Sequence, residues 1–347
     1  MNHETIQKEI IAAVRRTKED CPLVPSITNT VTIELVANAQ LAAGGSAAMV
    51  YLPDEGEAIA AAGEAFYINM GTLMPFYAET LPRTARALQE HHRPWVLDPV
   101  GIGIGSLRKG LLQCFRALPP SVVRGNASEI IALANLWGLD SGVARDGVRG
   151  VDATDSVETA RPAAEALAFF IHGAVAVSGE HDLVTDGTLT IRSEGGSKLF
   201  TKITGAGCSL GGVTAVYLAE TSPFIAALTA VQATIWQGLG RRAKRRALAA
   251  LLRPSSMPLR GNTGGNRGQS VCRALRRACD GSLRIVIDGK RDLDEYAHCS
   301  GDCTVRDWRG DVRLCREVVR VIRESGLPNR TNRCSRKSRA IGMKSWM

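Results

Sequence analysis

Val122-Val123-Arg124-Gly125-Asn126-Ala127-Ser128-Glu129-Ile130 passes from a short β-branched strand, through a polar turn, into a segment that reads as a helix over Ser128 to Ala134. The same unit recurs on both sides of it. Toward the N-terminus, residues 4–16 read as an amphipathic surface helix, and Pro22 and Pro25 force an extended stretch. Val31 to Ala43 then reads as a helix stopped by Gly44-Gly45. Ala47 to Leu52 reads as a buried strand, Glu57 to Ala65 as a helix, and Ala65 to Met70 as a strand ending at Gly71-Thr72. Pro82 to His91 reads as a helix with its proline in the first turn, and Trp95-Val96-Leu97 as a strand closed by Asp98-Pro99. Downstream come a helix near 156–170, a strand over Ala174 to Ser178 and a hairpin-like pair across Asp186-Gly187. Gly205 to Gly212 opens a long apolar helix to about Ala219. Strands alternating with helices predict an α/β fold, a mostly parallel central sheet with helices on both faces. Such sheets bind ligands beyond the carboxyl ends of their strands. Asp98, Arg124, Asn126 and Ser178 stand at those ends.

The 347 residues carry a net charge of +9, unevenly spread. Residues 241–347 hold 26 Lys+Arg against 10 Asp+Glu, whereas residues 1–240 hold 17 against 24. The chain thus reads as a mildly acidic domain over 1–240 and a basic Arg/Cys-rich tail over 241–347, irregular or disordered in expectation. Three cysteines (Cys21, Cys114, Cys208) fall in the first part without a disulfide framework, which fits a reducing cytoplasm. The six in the tail form no CxxC pair. The charged N-terminus argues against a signal peptide. The apolar run Thr221 to Gly240 contains Pro223, Gln232 and Gln237 and reads as a buried helix rather than a membrane span.

Thr204-Gly205-Ala206-Gly207-Cys208 is the strongest local signal. Glycines ahead of a helix let several N–H groups converge, and with the helix dipole they form an anion hole of the kind phosphoryl transfer uses. Cys208 falls at the helix N-terminus, where a thiol pKa is expected to drop; the other reading is a tight turn with a structural cysteine. Asn126 or Ser128 serves as a helix cap, with Glu129 favouring the first turn, or else Glu129 and Asp98 hold Mg²⁺. Arg124 pairs with a phosphate or stands in solvent. Ser178-Gly179-Glu180 offers a hydroxyl at a strand-to-loop turn, Met49 is core or pocket lining, and Asn29 is a cap or a substrate contact. The chain contains neither a GxxxxGK[ST] phosphate loop nor an HExxH zinc motif.

Seven segments in order complete a pattern: Ser26-Ile27-Thr28-Asn29, Gly44 to Met49, Ile68 to Leu73, Val96 to Gly101, Arg124 to Ile130, Val177 to Glu180 and Thr204 to Cys208. In this order they resemble the hydroxyethylthiazole kinases over about residues 5–240. The resemblance implies a ribokinase-like fold and ATP-dependent phosphorylation of 4-methyl-5-(2-hydroxyethyl)thiazole in thiamine biosynthesis or salvage. It implies ATP contacts at Arg124 and Ser178, with Asn126 and Gly207 beside the phosphates, and thiazole contacts at Met49 and Gly205 with Asn29 nearby. Asp98 and Glu129 would organise Mg²⁺. Cys208 occupies the place that an aspartate base takes in the wider ribokinase group. The family looks trimeric, with active sites shared between subunits. A related kinase acting on another small alcohol, such as hydroxymethylpyrimidine, or an inactive remnant, are the competing readings.

Three departures from the family stand out. Pro25-Ser26 replaces a usual His-Asn, and Ala206 a common threonine. The match also stops near Gln237-Gly238-Leu239-Gly240, where the family continues with an Ala-Gly-Glu helix and a Gly-Pro-Gly-Ser-Phe-like segment. A shift of reading frame would turn such a terminus into the arginine-rich tail, and the gene sequence would show whether another frame restores it. The tail has the charge to attract nucleic acid but lacks stacking platforms, with Tyr296, Trp308 and Trp346 as its aromatic residues, so nucleic-acid binding is not expected.

Overall fold

Strand burial sets the architecture. The inner strands are buried at consecutive residues rather than alternately, as a sheet covered on both faces requires. The computed structural model describes residues 1–142, 156–193, 200 and 202–234, together with the backbone of 285–289. In chain order its elements are α1 (His3–Asp20), β1 (Leu23–Ile27), α2 (Ile33–Ala43), β2 (Ser46–Met49), α3 (Pro53–Ala62) and β3 (Phe66–Asn69). There follow α4 (Tyr77–Glu90), β4 (Trp95–Asp98), α5 (Ser106–Cys114), β5 (Val122–Asn126), α6 (Ala127–Leu136), α7 (Arg161–Ile171) and β6 (Ala174–Ser178). β7 (Asp182–Thr185), β8 (Leu189–Ser193), α8 (Ala206–Leu218), α9 (223–234) and β9 (Ile285–Gly289) complete the list. The sheet order is β2-β1-β3-β4-β5-β6-β7-β8-β9. β1 to β6 run parallel, and the last three strands are antiparallel additions at one edge.

Two cores flank the sheet. α3 to α7 cover one face, where Phe66, Ile68, Leu97 and Val123 point. α1, α2, α8 and α9 cover the other, where Val24, Tyr67, Val96, Val122 and Ala176 point. α1 shows how sequence periodicity becomes packing: Ile6, Ile10, Ala13, Val14 and Thr17 share one buried stripe. Each fully buried isoleucine there contributes about 1.5–3 kcal/mol of transfer energy. Asn2 caps the helix by accepting from the Thr5 N–H.

Several expectations need correction. α4 begins at Tyr77, so Pro82 lies inside the helix rather than in its first turn. The buried stripe of Tyr77, Leu81, Ala85 and Leu88 carries the helix through the missing hydrogen bond. α5 was not expected, since its nine residues bury Leu111 and Leu112 alone and include Gly110. Cys21 is disulfide-bonded, whereas Cys114 and Cys208 are free. In the tail, Ile285–Gly289 pairs with β8 as an edge strand, where irregular chain was expected. The remaining readings of the tail lie outside the described residues. No described helix is long and apolar enough to cross a membrane.

Candidate active site

Parity along the strands gathers the polar ends on one face. Tyr67, Val96, Val122 and Ala176 point toward α8. Asn69, Asp98, Arg124 and Ser178, two residues further along each strand, therefore continue the same face at its carboxyl edge. The register agrees, with Asn69 opposite Asp98 and Asn126 opposite Ser178.

Asp98 is the hub, at 0% exposure. Its Oδ2 accepts from the Tyr67 hydroxyl at 3.0 Å, the Asn69 amide at 3.2 Å and an Arg124 guanidinium nitrogen at 3.3 Å. Its Oδ1 receives no hydrogen bond. Burial pushes the Asp98 pKa up, and Arg124 pulls against that shift. Arg124 is 8% exposed. Burial alone would weaken its hold on the proton, but Asp98 and Glu129 together raise its pKa, so it stays a cation.

Glu129 completes the charge cluster from the first turn of α6. Its carboxylate accepts the Asn126 N–H at 2.9 Å while Asn126 Oδ1 accepts the Glu129 N–H at 2.9 Å, a reciprocal capping box. The capping reading of Asn126 is thus realised, and it leaves Glu129 beside Asp98 and Arg124. Burial, aided by the charge on Asp98, raises the Glu129 pKa to about 7.

The glycine turn closes over this cluster. Gly205 precedes α8 with φ +84°, and a Cβ there would meet Thr32 Cγ2 at 2.5 Å. A Cβ on Gly207 would sit 2.5 Å from one terminal nitrogen of Arg124 and 2.6 Å from the other. Bare backbone is therefore what lets the guanidinium lie against the first turn of α8. No side chain caps α8; the Ala206 N–H goes to the Ile203 carbonyl and the Ser209 N–H to the Gly205 carbonyl, which leaves the Gly207 and Cys208 N–H groups of that turn for an anion.

Cys208, in the same turn, accepts from the Asn29 amide at 3.4 Å. The expected fall in its pKa is not found: burial and the Asp98 charge push the thiol up, outweighing the Arg124 charge and the Asn29 hydrogen bond. Asn29 does not cap α2, whose N-cap is Thr32; its Oδ1 takes the Thr32 N–H at 3.1 Å in the turn before the helix, and its amide also reaches Asn69 Oδ1 at 2.9 Å. Met49, the last residue of β2, packs half-buried on the α8-side core along with Cys208. The Ser178 hydroxyl is buried at the end of β6 without a partner. Every candidate from the sequence thus lies at the carboxyl edge, on the α8 face or at the turns that border it.

Three residues were missed. Tyr67 and Asn69 were absorbed into an apolar strand, although a Tyr-x-Asn pair two apart puts both on one face. Arg108 ties down the loop after β3, donating to the Met70 carbonyl at 3.0 Å and the Ile104 carbonyl at 2.8 Å. It sits on the unexpected α5 and gave no signal. Gly207-Cys208-Ser209-Leu210-Gly211 also has the G-x-S-x-G spacing of a hydrolase nucleophile elbow. Ser209, however, lies within α8 and its hydroxyl donates back to the Ala206 carbonyl at 2.8 Å, so it is not presented as a nucleophile.

The donor set can be tested against Mg²⁺. Among the described residues no group of three or more His, Cys, Asp or Glu could hold a metal by itself. Mg²⁺ characteristically takes one or two carboxylates and fills its shell with phosphate oxygens and water. The bare Asp98 Oδ1 and the adjacent Glu129 carboxylate meet that need with hard oxygen donors, so the residues fit the ion.

A model of the hydroxyethylthiazole kinase family matches residues 14–251. Among similar proteins, the hydroxyethylthiazole kinase of Bifidobacterium longum subsp. infantis is 53% identical over 243 residues, 65% of this chain and 77% of the relative. That of Cereibacter sphaeroides is 42% identical over 214 residues, 62% of this chain and 79% of the relative. Among solved structures, the hydroxyethylthiazole kinase protein from Pyrococcus horikoshii OT3 superposes with a TM-score of 0.61 at 27% identity, covering 81% of this chain and 99% of that one.

Proposed function

Since the chain belongs to the hydroxyethylthiazole kinase family, we propose that it transfers the γ-phosphoryl group of ATP to the primary alcohol of 4-methyl-5-(2-hydroxyethyl)thiazole, yielding the thiazole phosphate and ADP for thiamine synthesis or salvage. The observation that carries this reading is the contact of Arg124 with the bare backbone at Gly207, which puts a buried cation and open helix N–H groups at one point. Phosphoryl transfer is catalysed mainly by such positioning and charge stabilisation.

The roles follow from the arrangement. Arg124 and the Gly207 backbone hold the terminal phosphates, and Ser178, with its unpartnered hydroxyl, and Asn126 flank them on the β5–β6 side. Met49, Asn29 and Gly205 border the alcohol's pocket, where the methionine supplies an apolar wall for a flat ring. Asp98 Oδ1 and Glu129 would hold Mg²⁺, which when bound supplies charge neutralisation for the phosphates. Cys208 lies in the first turn of α8 and serves as base in its thiolate form, which takes the alcohol's proton and returns to the thiol. Burial raises its pKa, so that form is scarce near neutrality, and a loose transition state asks little of such a base.

We further propose that the catalytic unit ends near residue 240 and assembles as a homotrimer in the cytoplasm, with sites shared between subunits. Leu52, Phe76, Ile104 and Leu107 support this assembly, because the first three exposed apolar side chains project from successive loops beyond the carboxyl ends of β2, β3 and β4, and Leu107 stands exposed in the first turn of α5. The test is ATP consumption by the full chain, measured by ADP release, with the thiazole alcohol and with hydroxymethylpyrimidine. Turnover with the thiazole alone is expected; turnover with the pyrimidine alone, or with neither, would refute the assignment.

A further inference from the structure

Tyr67 is 0% exposed in the middle of β3, at a position where phenylalanine would pack as well. Burying a phenol is unfavourable unless its hydroxyl finds partners. The Tyr67 hydroxyl has two: it donates to Asp98 Oδ2 at 3.0 Å and accepts from the Asn69 amide at 2.9 Å. The ring has also imposed a glycine on α8. A Cβ at Gly211 would lie 2.5 Å from Tyr67 Cε2 and 2.7 Å from its hydroxyl oxygen. Glycine in a helix interior is destabilising, and here it makes room for the ring together with its hydroxyl.

The hydroxyl's effect is visible on Asp98. Tyr67, Asn69 and Arg124 all donate to Oδ2, while Oδ1 has no donor. We propose that Tyr67 and Asn69 are positioning residues that divide the work of the Asp98 carboxylate, fixing Oδ2 within the protein and leaving Oδ1 as the one oxygen available to a divalent cation. The inference rests on the assignment of Asp98 as a metal-holding residue. Without the Tyr67 hydroxyl the carboxylate is free to turn, and Arg124 competes for both oxygens. Asn69 acts with Tyr67: its Oδ1 is held by the Asn29 amide at 2.9 Å and the Gly71 N–H at 2.9 Å, which directs its own amide to Tyr67 and Asp98.

The test uses the full chain with ADP, and Mn²⁺ binding followed by electron paramagnetic resonance, so that it does not depend on turnover. Tyr67→Phe is expected to melt within a few degrees of the wild type yet bind Mn²⁺ about tenfold more weakly. It should also lower kcat while leaving KM for the alcohol unchanged, a split that mere loosening of the fold would not give. Unchanged Mn²⁺ affinity in Tyr67→Phe overturns the inference. Should that variant fail to fold, Asn69→Ala is read by the same criteria. Asp98→Asn separates the two levels of the argument. If it weakens Mn²⁺ binding while Tyr67→Phe and Asn69→Ala do not, the positioning role alone falls; if it too binds Mn²⁺ normally, the metal assignment falls and the inference with it.

Discussion

Arg124→Met removes the cation that accompanies Asp98 at 0% exposure and leaves the carboxylate with two neutral donors. Breaking a buried ion pair from one side costs about 3–5 kcal/mol, chiefly the burden of the orphaned charge. For a domain of this size that corresponds to a fall in Tm of roughly 6–20 °C. The carboxylate can escape by taking a proton, at about 1.4 kcal/mol per pH unit. Burial already raises the Asp98 pKa and Arg124 opposes the rise, so the variant's folded-state value climbs further above that of the unfolded chain. A raised folded pKa means stability present at low pH and lost as pH rises through it. The deficit should therefore be small near pH 5 and fully developed near pH 8. Asp98→Asn in the same chain removes the orphaned charge and should recover at least half of the loss. Urea denaturation of the wild type, the two single variants and the double variant at both pH values gives the full cycle. A single-variant cost below about 1 kcal/mol, or an additive double variant, would refute the idea that the pair is one buried unit.

Three shorter predictions follow from the same geometry. Gly207→Ala brings a Cβ to 2.5 Å from the Arg124 nitrogen that pairs with Asp98; displacing it should lower ATP affinity measured by calorimetry at least about tenfold and cost about 1–3 kcal/mol of stability. Gly205→Ala must hold φ +84° against the Thr32 side chain, and the left-handed backbone alone costs about 1–2 kcal/mol, so the melting temperature should drop. Glu129 is raised from 4.5 to about 7, which equals about 3 kcal/mol of stability present below pH 4.5 and lost as pH climbs through 7. Glu129→Gln should flatten that decline in the ligand-free protein, and an unchanged pH–stability curve would contradict the assigned burial.

The legible part of this fold is the part governed by local chemistry. β6 was read to the residue because Ala174 to Ser178 is bounded by Gly173 and Gly179. β1 was read because two prolines leave little but extended chain. α5 escaped because helices that bury two side chains carry almost no periodic signal, and α4 was started late because Pro82 resembles a first-turn residue. The site divides in the same way. Asp98, Arg124 and Glu129 stand at turns, where polarity is conspicuous. Tyr67 and Asn69 sit inside a strand, and their role depends on which face they share with Asp98, a fact fixed only when β3 pairs with β4. The direction of the Cys208 shift was misread for a related reason: the helix terminus is written in the sequence, whereas the burial and the neighbouring carboxylate come from distant strands.

That neighbouring carboxylate also explains why a thiol can stand at position 208, where the wider ribokinase group has an aspartate. Asp98 and Glu129 already crowd two buried acids around a single arginine, and each is pushed toward its neutral form. A third carboxylate would have to ionise against both, whereas a neutral thiol adds no charge and accepts the Asn29 amide. Cys208→Asp should therefore fold, since the position is only half-buried, but carry a carboxyl whose pKa lies well above the ordinary range. If position 208 takes the alcohol's proton, that variant should be active with a rate that rises with pH through its elevated pKa, and Cys208→Ala should lose about 10²–10⁴-fold in kcat. Wild-type kcat in Cys208→Ala would show instead that the α8 amides and Arg124 do the catalysis and that the alcohol sheds its proton to water or phosphate.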